Sequence, residues 1–70
     1  MSNRVRDLRV AHLWKTKTLA RKARLDPSTI SRIESGGRTG NLLTQERIAR
    51  ALGVPREEVF PPEEDQEAAS

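Results

Sequence analysis

Three short hydroxyl side chains, Ser28, Thr29 and Ser31, follow the pair Asp26-Pro27 and lead to Arg32. A guanidinium offers a planar fork of donors that matches phosphate oxygens or the O6/N7 edge of guanine, and a hydroxyl both donates and accepts. Ile30 and Ile33 alternate with these polar positions. On a helix the two isoleucines anchor one face and leave Ser28, Thr29, Ser31 and Arg32 on the other. A helix over Pro27 to Glu34 is about 12 Å long at 1.5 Å per residue. A small, polar, basic free face of that size fits the B-DNA major groove, which is about 12 Å wide. Serine and threonine are also common at helix starts, where they bond nearby backbone groups, so the hydroxyls alone do not separate recognition from local capping.

Other chemistries find little support. The chain has no cysteine and one histidine, His12, which has no partners of ligand type around it in sequence. Neither a metal site nor a redox pair is expected, and no cofactor. No carboxylate pair, activated nucleophile or glycine-rich phosphate loop is evident, and the chain is too short to enclose a substrate, so an enzyme is not expected. The charge points elsewhere. The formal net charge is +3, but Glu63, Glu64, Asp65 and Glu67 lie in a final stretch without Lys or Arg. Residues 1–60 therefore hold thirteen basic against six acidic side chains, a net +7, and ten of the thirteen are arginine. A surplus of that kind suits a polyanion, most simply nucleic acid, although it also serves as a solubilising surface.

Five short helices must position these residues. Asn3 to Leu13 reads as the first, with Val5 and Leu8 on one face. Thr16 to Ala23 is the second, carrying Leu19, Ala20 and Ala23, and ends at Arg24 before Leu25. Asp26 is a good N-cap and Pro27 a good first residue for the third, which stops at Ser35-Gly36-Gly37. A loop over Gly37 to Gly40 leads to a fourth helix ending at Leu52-Gly53. Its cap is Asn41, or else Thr44 with Leu43 and Ile48 stapled across it. Pro55 to Val59 forms a last short helix closed by Phe60. Residues 61–70 are proline-led, acidic and nearly without apolar groups, and are expected to be disordered.

Seventy residues allow one small all-α domain over 1–60. A chain of this size buries only about 60% of the surface it exposes unfolded, so compact helix packing or a partner must stabilise it. Trp14 and Phe60 are the only aromatic residues, which disfavours an all-β fold. No apolar run approaches the roughly 20 residues of a membrane span, and no signal peptide is seen, so a cytoplasmic location away from membranes is expected.

The order of these segments resembles the lambda-repressor-like (Cro/C1, XRE-type) helix-turn-helix family. The resemblance covers about residues 3–60 without a gap. It runs through Arg4-Val5-Arg6-Asp7-Leu8-Arg9, Leu19-Ala20-Arg21-Lys22-Ala23, Ser28-Thr29-Ile30-Ser31-Arg32-Ile33-Glu34, the run from Arg47 to Val54, and Glu57-Glu58-Val59-Phe60. It implies a compact five-helix domain whose central pair of helices binds DNA. By this likeness Pro27, Ser28 and Arg32 read base edges, with Ser31 beside them. Thr29 and Ser31 meet phosphate or the groove edge. Lys15, Thr16 and Lys17 at the start of the second helix, Arg38 and Thr39 in the following loop, and Asn41 anchor the phosphate backbone. Arg9 and Glu34 hold positions that form an ion pair in similar domains, and Trp14 takes a core position between the first two helices. The family commonly has glycine at the place of Arg24, glutamine at that of Thr16 and leucine at that of Gln45. Either strain at Arg24 or an adjusted turn is expected, and Leu43 is expected to substitute for the missing leucine by a small rotation.

Two functions follow as expectations. The first is a sequence-specific regulator of transcription, a repressor bound to double-stranded operator DNA as a homodimer on an inverted repeat. The last helix (Val59, Phe60) and the loop before the fourth helix are its candidate dimer surfaces. The second is an antitoxin or other interaction module on the same fold, partnered by a toxin or RNA polymerase, with DNA binding secondary or lost.

Overall fold

The computed structural model describes residues 3–36 and 39–61. The expectation for the acidic tail therefore concerns residues that lie, from 62 onward, outside the described part. Five helices and no strand occur among the described residues: α1 (Val5–Ala11), α2 (Thr16–Ala23), α3 (Pro27–Glu34), α4 (Leu42–Leu52) and α5 (Arg56–Val59).

Each helix contributes one apolar face to a single core. Val5, Leu19, Ile30, Ile33, Ile48 and Val59 are its largest fully buried side chains. Ala20 and Ala23 are also buried, and the absence of bulk there lets α2 lie close to α3 and α4. Leu25, in the turn between α2 and α3, packs against the same core. The first turn of the helical body is tied to its last, because the Arg4 N–H donates to the Val59 carbonyl at 2.9 Å.

α1 is shorter than the sequence suggests. Asn3 stays outside it and caps the entry: its side-chain oxygen accepts from the Val5 N–H at 3.1 Å while its amide nitrogen donates to the Ile33 carbonyl at 2.9 Å. At the other end the helix stops at Ala11, and Leu13 turns the chain with φ 63°. That side chain is 90% exposed, so neither its backbone nor its burial favours leucine there.

The α2–α3 turn keeps its expected conformation despite the missing glycine. Arg24 adopts φ 60°, ψ 44°, and the Leu25 N–H reaches back to the Ala20 carbonyl at 2.8 Å. The end of α4 repeats this arrangement with Gly53 at φ 77° and the Val54 N–H on the Ala49 carbonyl at 3.1 Å. Both are Schellman-type closures, one with glycine and one with arginine in the left-handed region.

One open choice is settled and two expectations are corrected. Asn41, not Thr44, caps α4, accepting from the Thr44 N–H at 2.8 Å. Leu43 consequently falls in the first turn, 60% exposed, and neither staples to Ile48 nor replaces the missing core leucine. Gln45 stays polar at that place and works as a tie: its Nε2 donates to Thr39 Oγ1 and the Gly40 carbonyl, both at 3.2 Å, and its Oε1 accepts from Arg56 at 3.3 Å. Finally, Val59 and Phe60 are buried in the chain's own core and present no free surface for a second copy.

Candidate nucleic-acid interface

The polar face of α3 is open. Pro27, Ser28, Ser31 and Arg32 are exposed, and Thr29 is half-buried. Ile30 and Ile33 hold the opposite face in the core. Arg32 has no carboxylate within ion-pair distance among the described residues. Ser28 lies one turn before Arg32, so the two share one side of the helix.

Asp26 departs from the role expected of it. Its backbone carbonyl accepts from the Thr29 and Ile30 N–H groups, as a first helical turn requires. Its carboxylate makes no bond to the helix amides and instead accepts from the Ser28 hydroxyl at 3.1 Å. The Ser28 proton is thereby engaged, and its oxygen faces outward as an acceptor. Its bond to Ser28, and not an N-cap, is the feature at the α3 start that the sequence reading does not contain. The i, i+2 spacing of an Asp and a Ser across a helix start is the signal that carries it.

The flanking residues surround α3 on two sides. Lys15 and Lys17 are exposed at the start of α2, and Thr16 is half-buried between them. Lys15 has extended backbone at the N-cap and makes no side-chain cap, so the first amides of α2 are left without a capping side chain. Beyond α3, Thr39 is half-buried and spends its hydroxyl oxygen on Gln45. Asn41 spends its side-chain oxygen on capping α4, which leaves its amide group to donate outward. Arg38 lies outside the described residues.

Beneath this surface one ion pair fixes the angle between α1 and α3. Arg9 Nε donates to Glu34 Oε2 at 2.6 Å and its Nη2 to Oε1 at 3.2 Å. The remaining arm donates to the Trp14 carbonyl at 2.9 Å. The two charged side chains are 14% and 11% exposed. Trp14 is half-buried against the core, stacked on His12 with centroids 4.2 Å apart and with Lys22 Nζ 5.0 Å from its ring. The His12 Nε2 lies 3.2 Å from the Leu52 carbonyl, so this histidine has a structural partner in α4.

A family model described as a helix-turn-helix domain matches residues 1–60. Among solved structures, the restriction-modification controller protein C.AhdI from Aeromonas hydrophila is 35% identical, with a TM-score of 0.77 over 81% of this chain and 86% of that one. A hypothetical transcription factor, NHTF from Neisseria, is 29% identical, with a TM-score of 0.75 over 94% of this chain and 76% of that one. No curated protein matches the chain.

Proposed function

The chain belongs to the helix-turn-helix family, and from that premise we propose that it is a sequence-specific DNA-binding regulator of transcription, acting as a repressor. α3 enters the major groove of operator DNA, and Arg32 donates two hydrogen bonds to guanine O6 and N7. Ser28 reads a nearby edge, Pro27 opens the helix as its first residue and touches a thymine methyl, and Ser31 and Thr29 meet the groove edge. Lys15, Thr16, Lys17, Thr39 and Asn41, with Arg38 in the same loop, hold phosphates. Such contacts set the position of the reader without themselves reading sequence. The observation that carries this reading is the exposed α3 face: an arginine without an ion-pair partner among the described residues and short hydroxyls, held by two buried isoleucines on a helix of groove dimensions. The likeness to a restriction-modification controller and a transcription factor supports it.

One recognition helix spans only a few base pairs, so the active form is a homodimer on half-sites about one helical turn apart. A binding titration against random duplex at two salt concentrations, followed by selection of preferred sites, tests the proposal. Affinity should fall steeply with salt, and Arg32→Ala should relax one position of the selected site. No binding at low salt sinks the DNA reading, and an unchanged site preference sinks the role of Arg32.

A protein-interaction module is the second reading. Leu13 favours it, since a leucine that is strained and 90% exposed serves no purpose in the isolated chain. Loss of a co-purifying partner on Leu13→Gly, with site selection intact, would add that function to the first. Retention of every partner removes the support.

A further inference from the structure

A groove of about 480 Å³ separates the end of α2 from the middle of α4. Lys22, Ala23 and Arg24 line one side, and Arg47, Arg50 and Ala51 the other. No acidic side chain lines it, the four cations are all exposed, and none has a carboxylate within ion-pair distance among the described residues. Four like charges around one small concavity repel each other, so the site as it stands is electrostatically unfavourable and gains from an anion. Arg24 sharpens the point. It occupies a left-handed position that glycine takes without strain, and the strain it carries keeps a guanidinium at the groove. Lys22 is pre-positioned by its contact with the Trp14 ring.

The groove is not the α3 surface. Lys22 lies five residues beyond Lys17, which turns it about 140° around the α2 axis at 3.6 residues per turn. α4 and not α3 forms the other bank. The groove is therefore a second basic surface, set apart from the one that α3 presents.

The chain carries a matching anion of its own. Glu63, Glu64, Asp65 and Glu67 place four carboxylates within five residues, and no Lys or Arg follows Arg56. The last described residue, Pro61, follows α5, which packs on α4, the helix that carries Arg47 and Arg50. From Pro61 to Glu67 an extended chain reaches about 20 Å at roughly 3.3 Å per residue. The two shorter dimensions of the molecule are 21 and 20 Å. Tethering over so short a span gives an effective concentration on the order of millimolar, sufficient for ion pairs that would be too weak between separate molecules. Arginine and carboxylate also match geometrically as bidentate partners.

We propose that the basic groove between α2 and α4 is the docking site for the acidic segment 63–67 of the same chain. Docked there, the segment neutralises the four cations of the groove and leaves the α3 face free.

The chain lacks cysteine, so Ala68→Cys admits a single nitroxide label in the full-length protein. At low salt the label should remove more than half of the amide signal intensity from residues 22–24 and 47–51. Residues 16, 17, 31 and 32 should keep theirs. The pattern should vanish in 0.5 M salt. It should also vanish when Arg47→Gln and Arg50→Gln are combined, and when the four acidic residues are replaced by their amides, which alters nothing in the helical body. Broadening centred on α3, uniform broadening, or broadening that grows with protein concentration, which would mean docking on another copy, overturns the proposal. So does a groove that shifts on addition of duplex DNA while ignoring the label, since the groove would then be a DNA contact.

Discussion

Arg9 carries more structural responsibility than any other single side chain at the base of α3. Its three hydrogen bonds join α1 to Glu34 on α3 and to the carbonyl of Trp14 in the following turn. Both members of the pair are largely shielded, so deleting one leaves the other charge poorly solvated and without its counter-charge. Arg9→Met should cost about 3 kcal/mol in urea unfolding, whereas Arg9→Met combined with Glu34→Leu should recover most of that loss. A single-variant cost below about 1 kcal/mol would reduce the pair to an ordinary surface salt bridge. Asp26 acts at the same scale but on specificity. With the Ser28 proton engaged by its carboxylate, both side chains present acceptors, and the major-groove donors available to them are cytosine N4 and adenine N6. Ser28 and Arg32 are four residues apart, about 6 Å along the helix, close to two base-pair steps. Site selection should therefore return a cytosine or adenine about two positions from the guanine read by Arg32. Asp26→Asn, whose amide also donates, should relax that position roughly tenfold and leave the guanine intact, since one good base contact is worth about 1–3 kcal/mol. An identical selected motif from wild type and variant would show that the carboxylate does not face the bases.

At the scale of elements, the two left-handed positions of non-glycine residues among the described residues make a paired test. Arg24 closes α2 in the same way that Gly53 closes α4, and Leu13 ends the turn after α1. Each Cβ costs about 1 kcal/mol in that conformation. Leu13→Gly and Arg24→Gly should each raise stability by up to about that amount, with the greater unfolded-state freedom of glycine taking back part of it. Loss of stability in either would mean that the side chain makes a contact worth more than the strain. Asn41→Ala tests a cap instead and should cost about 1 kcal/mol, while Thr44→Ala removes no cap. These places also mark how far the sequence could be read. The periodicity of Leu19, Ala20 and Ala23, and of Ile30 and Ile33, was sufficient for α2, α3 and their shared core, because apolar spacing and an Asp-Pro start are local signals. The exposed face of α3 followed directly from that spacing. Asn41 against Thr44 was undecidable locally, since both are good caps three residues apart. Gln45 was harder still. Its three partners come from the preceding loop and from α5, and no pattern within α4 announces them. The acceptor character of Ser28 likewise depends on a rotamer rather than a residue type, and the basic groove on two helices whose cations are more than twenty positions apart.

For the whole molecule, the arrangement of apolar surface decides how a dimer would form. Val59 and Phe60 cannot supply an apolar interface, because they are consumed by the core that makes a 60-residue body stable. The exposed alternative is the start of α4, where Leu42 and Leu43 are 63% and 60% exposed beside the loop that precedes the helix. A specific interface needs roughly 1,000 Å² in total, so these two leucines must form the centre of a larger patch rather than the whole of it. The proposed operator contacts make such pairing consequential: a monomer holds one half-site, and a dimer gains the second without further loss of orientational freedom. Leu42→Asp combined with Leu43→Asp is a clean probe. Neither side chain supports the core, and a carboxylate in the first turn of a helix is favoured by its dipole, so thermal stability should stay within about 0.5 kcal/mol of wild type. Sedimentation equilibrium should move to monomer, and affinity for a two-half-site duplex should fall at least tenfold while affinity for an isolated half-site is unchanged. A dimer that survives the double substitution would place the interface elsewhere, and the exposed pair Val10 and Leu13 at the end of α1 would then be the surface to charge next.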